Sequence, residues 1–249
     1  MPANTSTVGP GPLTTQPMCM KVLAQPEINL CTVEDPIEMV SPEFNQMQVN
    51  PAIDLDFAAG VRTLMRQDPD IIMVGEIRDL ETARMAVQAS LTGHLVLSTL
   101  HTNDAPSAFT RLLDLGLPSY LLQSTLSGIV AQRLVRTLCP HCKQAGQVDG
   151  EAWAALVARW RLLPPKGVFH PVGCLECRKT GFLGRTGIYE MLRVTPAVRS
   201  LIQPNIESLR MAEAAHAAGM RPLRVSAAAQ VARGVTTISE VMKVLPPDD

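Results

Sequence analysis

Two groups of residues have the types and spacing to do chemistry. Cys139-Pro140-His141-Cys142 is followed further on by Cys174-Leu175-Glu176-Cys177. Two such knuckles let four thiolates close a tetrahedron around zinc, with zinc–sulfur bonds near ~2.3 Å. No further ligand type is arranged beside them, so Cys139, Cys142, Cys174 and Cys177 predict a closed, structural zinc site. Two free or oxidised cysteine pairs are the alternative. His141 sits inside the first knuckle as a bystander, and Cys19 and Cys31 read as buried thiols. The second group is acidic and imidazole-bearing: Glu34, Asp35, Glu38, Glu76, His94 and His101. A carboxylate where a strand stops can hold a metal or orient water, or it can simply solvate the rim.

His94 and His101 invite a shared metal, and strand geometry opposes it. If residues 94–101 form one straight strand, seven steps of ~3.3 Å place the two rings roughly 23 Å apart, on opposite faces.

The elements that must position these groups follow from the apolar pattern. Ile71-Ile72-Met73-Val74 is an unbroken apolar run, as expected of a strand buried on both faces. It ends in Gly75-Glu76-Ile77-Arg78-Asp79, where Asp79 can cap a helix carrying Ala83, Ala86, Val87 and Leu91 on one face. Gly93 suits the helix end, and His94 to His101 forms the next strand. Strand, helix and strand make a right-handed parallel unit, whose ligands lie beyond the carboxyl ends of the strands. Glu76 and His101 fall at that end and His94 at the other. Arg78 and Asp79 read as no more than a helix-start pair.

Ile28 to Val33 is a further strand, stopped by Pro36, and brings Glu34, Asp35 and Glu38 to its mouth. Alone, these three carboxylates are a solvated turn. Met47 to Asn50 is a short edge segment, and Asp56 to Gln67 is helical. Arg62 and Arg66 share one face of that helix, as a solvated stripe or as contacts to phosphate. Asp104 opens a helix with Phe109, Leu112 and Leu113 inward. Pro118 to Leu138 reads as one long helix, and Trp153 to Trp160 as another. Thr180 to Glu190 is a glycine-punctuated turn into a strand. The tail is helical, with segments ending at Gly219 and Gly234 and a capping box at Thr237 to Glu240.

The bounds are those of a globular chain. Its 249 residues are 46% hydrophobic and 18% charged, with a net charge of −1. No basic field of the kind nucleic-acid binders carry is present, so no nucleic-acid partner is expected. No apolar run reaches a membrane span, and no secretory signal is visible, so a cytoplasmic location is expected. Residues 1–26 form an irregular lead-in, 27–138 a core, 139–187 a cysteine lobe and 188–249 a helical C-terminal part.

Three strings carry a family resemblance. Val74-Gly75-Glu76-Ile77-Arg78-Asp79 resembles the Walker B box of the secretion ATPases, which drive type II secretion and type IV pilus assembly. Thr92-Gly93-His94 through His101-Thr102-Asn103 resembles their His box, and Thr32 through Glu38 their Asp box. The boxes occur in the family's order, and the likeness runs from about Glu27 to near Val244. It implies an α/β, RecA-like parallel sheet flanked by helices, with a tetracysteine zinc lobe. It also implies a homo-oligomeric ring, a hexamer, peripheral to the inner membrane and engaging secretion or pilus platform proteins. Glu76 would arrange magnesium and water with a carboxylate among Glu34, Asp35 and Glu38, because phosphoryl chemistry needs a metal and a group that orients water. His101 would sense the γ-phosphate of ATP. Asp35, Arg62, His94 and Arg111, the last in the family's Thr-Arg-Leu context, are candidate nucleotide contacts. Overall likeness favours type II secretion; a pilus assembly ATPase and a non-hydrolysing assembly module are the alternatives.

The resemblance has one gap. Such ATPases hold triphosphate with Gly-x-x-x-x-Gly-Lys-Ser/Thr, and this sequence has no such string. Aligned without gaps, its place falls on Ser6 to Thr15. Gly9 and Gly11 keep an echo, but Pro12 stands at the lysine and Leu13 at the magnesium-holding hydroxyl. Proline brings neither an amide donor nor a charge. The chain by itself is therefore expected to hydrolyse ATP poorly or not at all. A gene fragment, a misassigned start, or a subunit that kept assembly and lost catalysis would each account for this.

Overall fold

The computed structural model describes residues 20–157 and 159–245. The degenerate loop at Ser6 to Thr15 and Cys19 lie outside them. Four strands form a parallel sheet: β1 (Leu30–Glu34), β2 (Asn45–Gln48), β3 (Ile71–Val74) and β4 (Leu95–Ser98), in the order β2-β1-β3-β4. β1 and β3 lie at the centre and are buried along their whole length, as their apolar runs require. Alternate residues sort to opposite faces. Cys31, Val33, Ile72 and Val74 pack on one side; Leu30, Ile71 and Met73 pack on the other, with Met20 and Phe44. Each fully buried Val, Leu or Ile contributes roughly 1.5–3 kcal/mol.

The first face is covered by two helices, α1 (Phe57–Leu64) and α2 (Leu80–Leu91). Asp56 caps α1 through the Ala59 amide at 2.7 Å, and Asp79 caps α2 through the Thr82 amide at 2.8 Å. Gly60 lets α1 approach the sheet: a Cβ there would meet Val33 Cγ2 at 2.6 Å. α3 (Ser107–Asp114) is opened by Asp104, which accepts from the Ser107 amide at 2.8 Å. α4 (Ser119–Thr125) follows.

Two expectations change here. β4 covers only Leu95–Ser98, so His101 lies three residues beyond the strand. The ladder stops because Thr99 turns to the neighbouring loop: its hydroxyl donates to Gly75 O at 2.6 Å, and its carbonyl accepts from the Ile77 amide at 3.0 Å. The straight-strand separation of His94 and His101 therefore does not apply. The long helix predicted over Pro118 to Leu138 is also corrected. It ends with α4, and β5 (Gly128–Leu138) is a strand paired with β8 (Phe182–Arg193). β5 is rich in β-branched residues, Ile129, Val130, Val135 and Thr137, and pairing to a distant segment overrides a spacing that also suits a helix.

Between β5 and β8 lie β6 (Gln144–Gly146), α5 (Gly150–Val157) and β7 (Val168–His170), β6 and β7 forming an antiparallel pair. After β8 come α6 (Pro196–Ser200), α7 (Ser208–Ala217), α8 (Leu223–Ala232) and α9 (Ile238–Val244). The chain divides into two compact units. Residues 20–129 with Leu192–Gly219 form the sheet unit, and Val130–Met191 with residues 220–245 form the cysteine unit. The helices after β8 are thus shared between the two.

In the cysteine unit, the buried Arg224 donates to the carbonyls of Ala155 and Leu156, in the last turn of α5, and of Leu245 after α9. A cation there satisfies carbonyls that a helix end leaves unpaired. The capping box of α9 closes only on one side. Thr237 Oγ1 accepts from the Glu240 amide at 3.2 Å, but the Glu240 carboxylate takes Arg136 Nε at 2.6 Å and Lys243 Nζ at 2.6 Å instead. Arg136 also lies over the Phe182 ring, 4.2 Å from its centre.

Candidate functional site

The parallel sheet brings the ends of β1, β3 and β4 to one rim. Gly75 leaves β3 with its amide on Val33 O at 2.8 Å, and a Cβ on it would press on that carbonyl and on Phe57 Cε1, both at 3.3 Å. Close passage at Gly75 sets Glu76 at the mouth of the sheet, with a side chain only 13% exposed. Glu76 Oε2 lies 3.0 Å from His101 Nε2. Its other oxygen pairs with Arg78, whose guanidinium also lies 3.9 Å from Asp35. Hydrogen bonding and charge from Glu76 raise the Arg78 pKa. One carboxylate from the β3 loop and one from the β1 loop therefore meet a single guanidinium, and an imidazole from the β4 loop bonds the first of them.

The other predicted residues fall elsewhere. Glu34 is buried and bound into the strand, accepting from Thr32 Oγ1 at 2.6 Å and Gln46 Nε2 at 3.0 Å. Glu38 is exposed, with no hydrogen bond or ion pair among the described residues. Arg62 pairs with Glu81 across α1 and α2 at 3.2 Å, both side chains exposed. His94 sits at the opposite rim, its Nδ1 2.8 Å from Ala89 O and 3.0 Å from Thr92 Oγ1. It is tied to the end of α2 and is not brought to the carboxyl rim. Arg111 lines a shallow depression of about 310 Å³ together with His101, Thr102, Asn103, Thr110 and Ser208. Arg78 is the member that reading by sequence passed over. Its place two residues beyond Glu76 was the available signal, but an arginine before a helix cap fits a plain surface role equally well.

The donor set suits magnesium. Magnesium is usually held through one or two carboxylates, with phosphate oxygens and water completing the octahedron. Glu76 and Asp35, which flank the Arg78 guanidinium, are the carboxylates that could hold it.

In the cysteine unit the four sulfurs lie within 4.8 Å of one another. Cys139–Cys174 and Cys142–Cys177 are each 3.8 Å apart, and Cys174–Cys177 3.7 Å. A tetrahedron with metal–sulfur bonds near ~2.3 Å has edges near ~3.8 Å. Backbone amides aim at the sulfurs: Gly173 at Cys142, and Cys174 and Gly181 at Cys177, at 3.2–3.3 Å. Those from Cys174 and Gly181 bring Cys177 down to about 6. Burial, with neighbouring thiols, pushes Cys139 up to about 11. Four thiols so placed need a cation to be ionised together.

The model of the family described as type II/IV secretion system protein matches residues 5–243. The chain belongs to that family. It is 52% identical, over 97% of its length and 41% of the relative's, to the type IV pilus assembly ATPase TfpB of Acinetobacter baylyi. It is 46% identical to the type II secretion system ATPase E of Vibrio cholerae, over 96% of its own length and 47% of the relative's. The chain spans about half the length of the curated relatives it matches. Among solved structures, the pilus retraction motor PilT with bound ADP superposes with a TM-score of 0.66 at 28% identity, over 96% of this chain and 60% of that one. The α/β fold of the secretion family, a parallel four-stranded sheet flanked by helices, is therefore the fold of this chain, with four clustered cysteines that can hold a metal. Among the described residues, no helix is long and apolar enough to cross a membrane.

Proposed function

We propose that this chain is the motor portion of a type II secretion E-type ATPase, which powers export or pseudopilus assembly from the cytoplasmic face of the inner membrane. The observation that carries the reading is the meeting of Glu76 and His101 at the carboxyl rim of the sheet, 3.0 Å apart. Glu76 and Asp35 hold magnesium, which when bound neutralises charge on the phosphates. Glu34, bound into β1, keeps the Asp-box loop in place; Glu38 is free to reach water. His101, 90% exposed, reports the γ-phosphate, with Arg111 beside it in the shallow depression. Arg62, on the outer face of α1, meets nucleotide across a subunit boundary in a ring, and platform proteins receive the motion. The sheet unit supplies the motor core, and the four cysteines of the other unit hold a structural zinc.

Pro12 in place of the phosphate-loop lysine makes nucleotide binding weak in the chain alone. A fluorescent ATP analogue titrated onto the purified chain with magnesium tests this. Saturable binding that Glu76→Gln weakens supports a motor; its complete absence assigns the chain to a non-hydrolysing assembly module. The 52% identity to TfpB favours a second reading, assembly of a type IV pilus by the same chemistry. Complementation of pilus assembly against secretion mutants separates the two.

A further inference from the structure

We propose that Arg78 is a positioning residue that occupies the cation's place between Glu76 and Asp35 and gives it up when magnesium loads. The inference rests on the reading of Glu76 and Asp35 as metal-side carboxylates. Two carboxylates brought together at a rim repel unless a cation lies between them. The Arg78 guanidinium is that cation: it pairs with Glu76 and lies 3.9 Å from Asp35. Guanidinium forks suit this work because they serve two acceptors at once.

The surrounding geometry makes an exchange possible. Arg78 is 60% exposed, so its side chain can leave toward solvent. Its backbone stays fixed, because the next residue, Asp79, caps α2 through the Thr82 amide and hydroxyl. Glu76 also stays fixed, since His101 holds Oε2 from a different loop while Arg78 holds the other oxygen. Departure of Arg78 would thus free one oxygen of an already oriented carboxylate. A magnesium ion and a guanidinium compete for the same lone pairs and repel one another, so both cannot sit there together. Without metal, the arginine keeps the carboxylates converged; with metal, its positive charge moves outward.

Manganese binding to the whole, nucleotide-free chain tests the exchange, read from the loss of the free-ion electron paramagnetic resonance signal. Removing the resident charge in Arg78→Ala should tighten manganese binding about fivefold, the scale of one partly exposed ion pair. Arg78→Lys, which keeps the charge, should stay near the parent, and Arg78→Ala combined with Glu76→Gln should lose the gain. Unchanged or weaker binding in Arg78→Ala, with the parent's circular dichroism spectrum, would overturn the exchange. If Glu76→Gln altered manganese binding in neither background, the metal-side reading of Glu76 would fall instead, and the exchange with it.

Discussion

Glu76 and His101 meet at 3.0 Å although they are separated by a complete helix and strand, and Glu76 is the far less exposed of the two. The carboxylate is the fixed member and the imidazole the outward one. A ligand arriving from solvent would meet His101 first and reach Glu76 past it.

Restoring the phosphate loop should restore nucleotide affinity. The double change Pro12→Lys and Leu13→Thr adds back the charge and the hydroxyl, and should strengthen magnesium-ATP binding at least about tenfold, the scale of one charge-assisted contact. Adding Glu76→Gln to that background should weaken that binding again and, at saturating nucleotide, cut phosphate release by about 100-fold. Fluorescence titration and a phosphate-release assay read the two effects; equal rates with and without Glu76 would remove it from the chemistry.

Metal analysis of chain prepared without chelator should give about one zinc per molecule, since four thiolates make one closed site. Changing Cys139 and Cys174 to Ser together should abolish it and destabilise the cysteine unit by about 3 kcal/mol or more. Far-ultraviolet circular dichroism should retain the signal of the sheet unit. Retained zinc in the double variant would exclude these ligands.

Acid should loosen the cysteine unit through Glu240. Its hydrogen bond to Arg136, helped by Lys243, lowers its pKa to about 2 from an ordinary value near 4.5. The group is held charged in the folded state, so its contribution is complete above pH ~4.5 and is lost as pH falls toward ~2. Arg136→Ala should cost about 2 kcal/mol at neutral pH and flatten that part of the pH profile. Urea unfolding at stepped pH measures both; an unchanged acid limb in the variant would rule out Glu240 as its source.

Gly60→Ala should destabilise the sheet unit despite a gain in helix propensity of about 1 kcal/mol. The added Cβ meets Val33 Cγ2 at 2.6 Å, and Val33 is fully buried between sheet and helix. A net loss of about 1–2 kcal/mol is expected from overpacking. A thermal midpoint equal to or above the parent's would show that α1 can shift outward.

Arg62→Ala should change stability by less than about 0.5 kcal/mol, because its pair with Glu81 is solvent-exposed. Any loss of nucleotide binding would then come from contact with the ligand, and only in assembled protein if the contact crosses subunits. Equal loss in unassembled chain would place the arginine at its own site.

Much of this molecule was legible in its sequence because local chemistry acts over a few residues. The apolar run of β3, the Asp79 and Asp104 caps and the two-residue spacing inside each cysteine knuckle all depend on neighbours within a turn or a strand. The convergence of Glu76 and His101 on one rim also followed, since a parallel strand–helix–strand unit leaves few alternatives. Tertiary structure alone decided the rest. β5 is a strand because β8 offers it a partner more than forty residues away, while its own spacing suits a helix equally well. Glu240 leaves its capping amide for Arg136, and Arg78 becomes a bridge to Asp35, because folding brings opposite charges from distant segments closer than their own helices can.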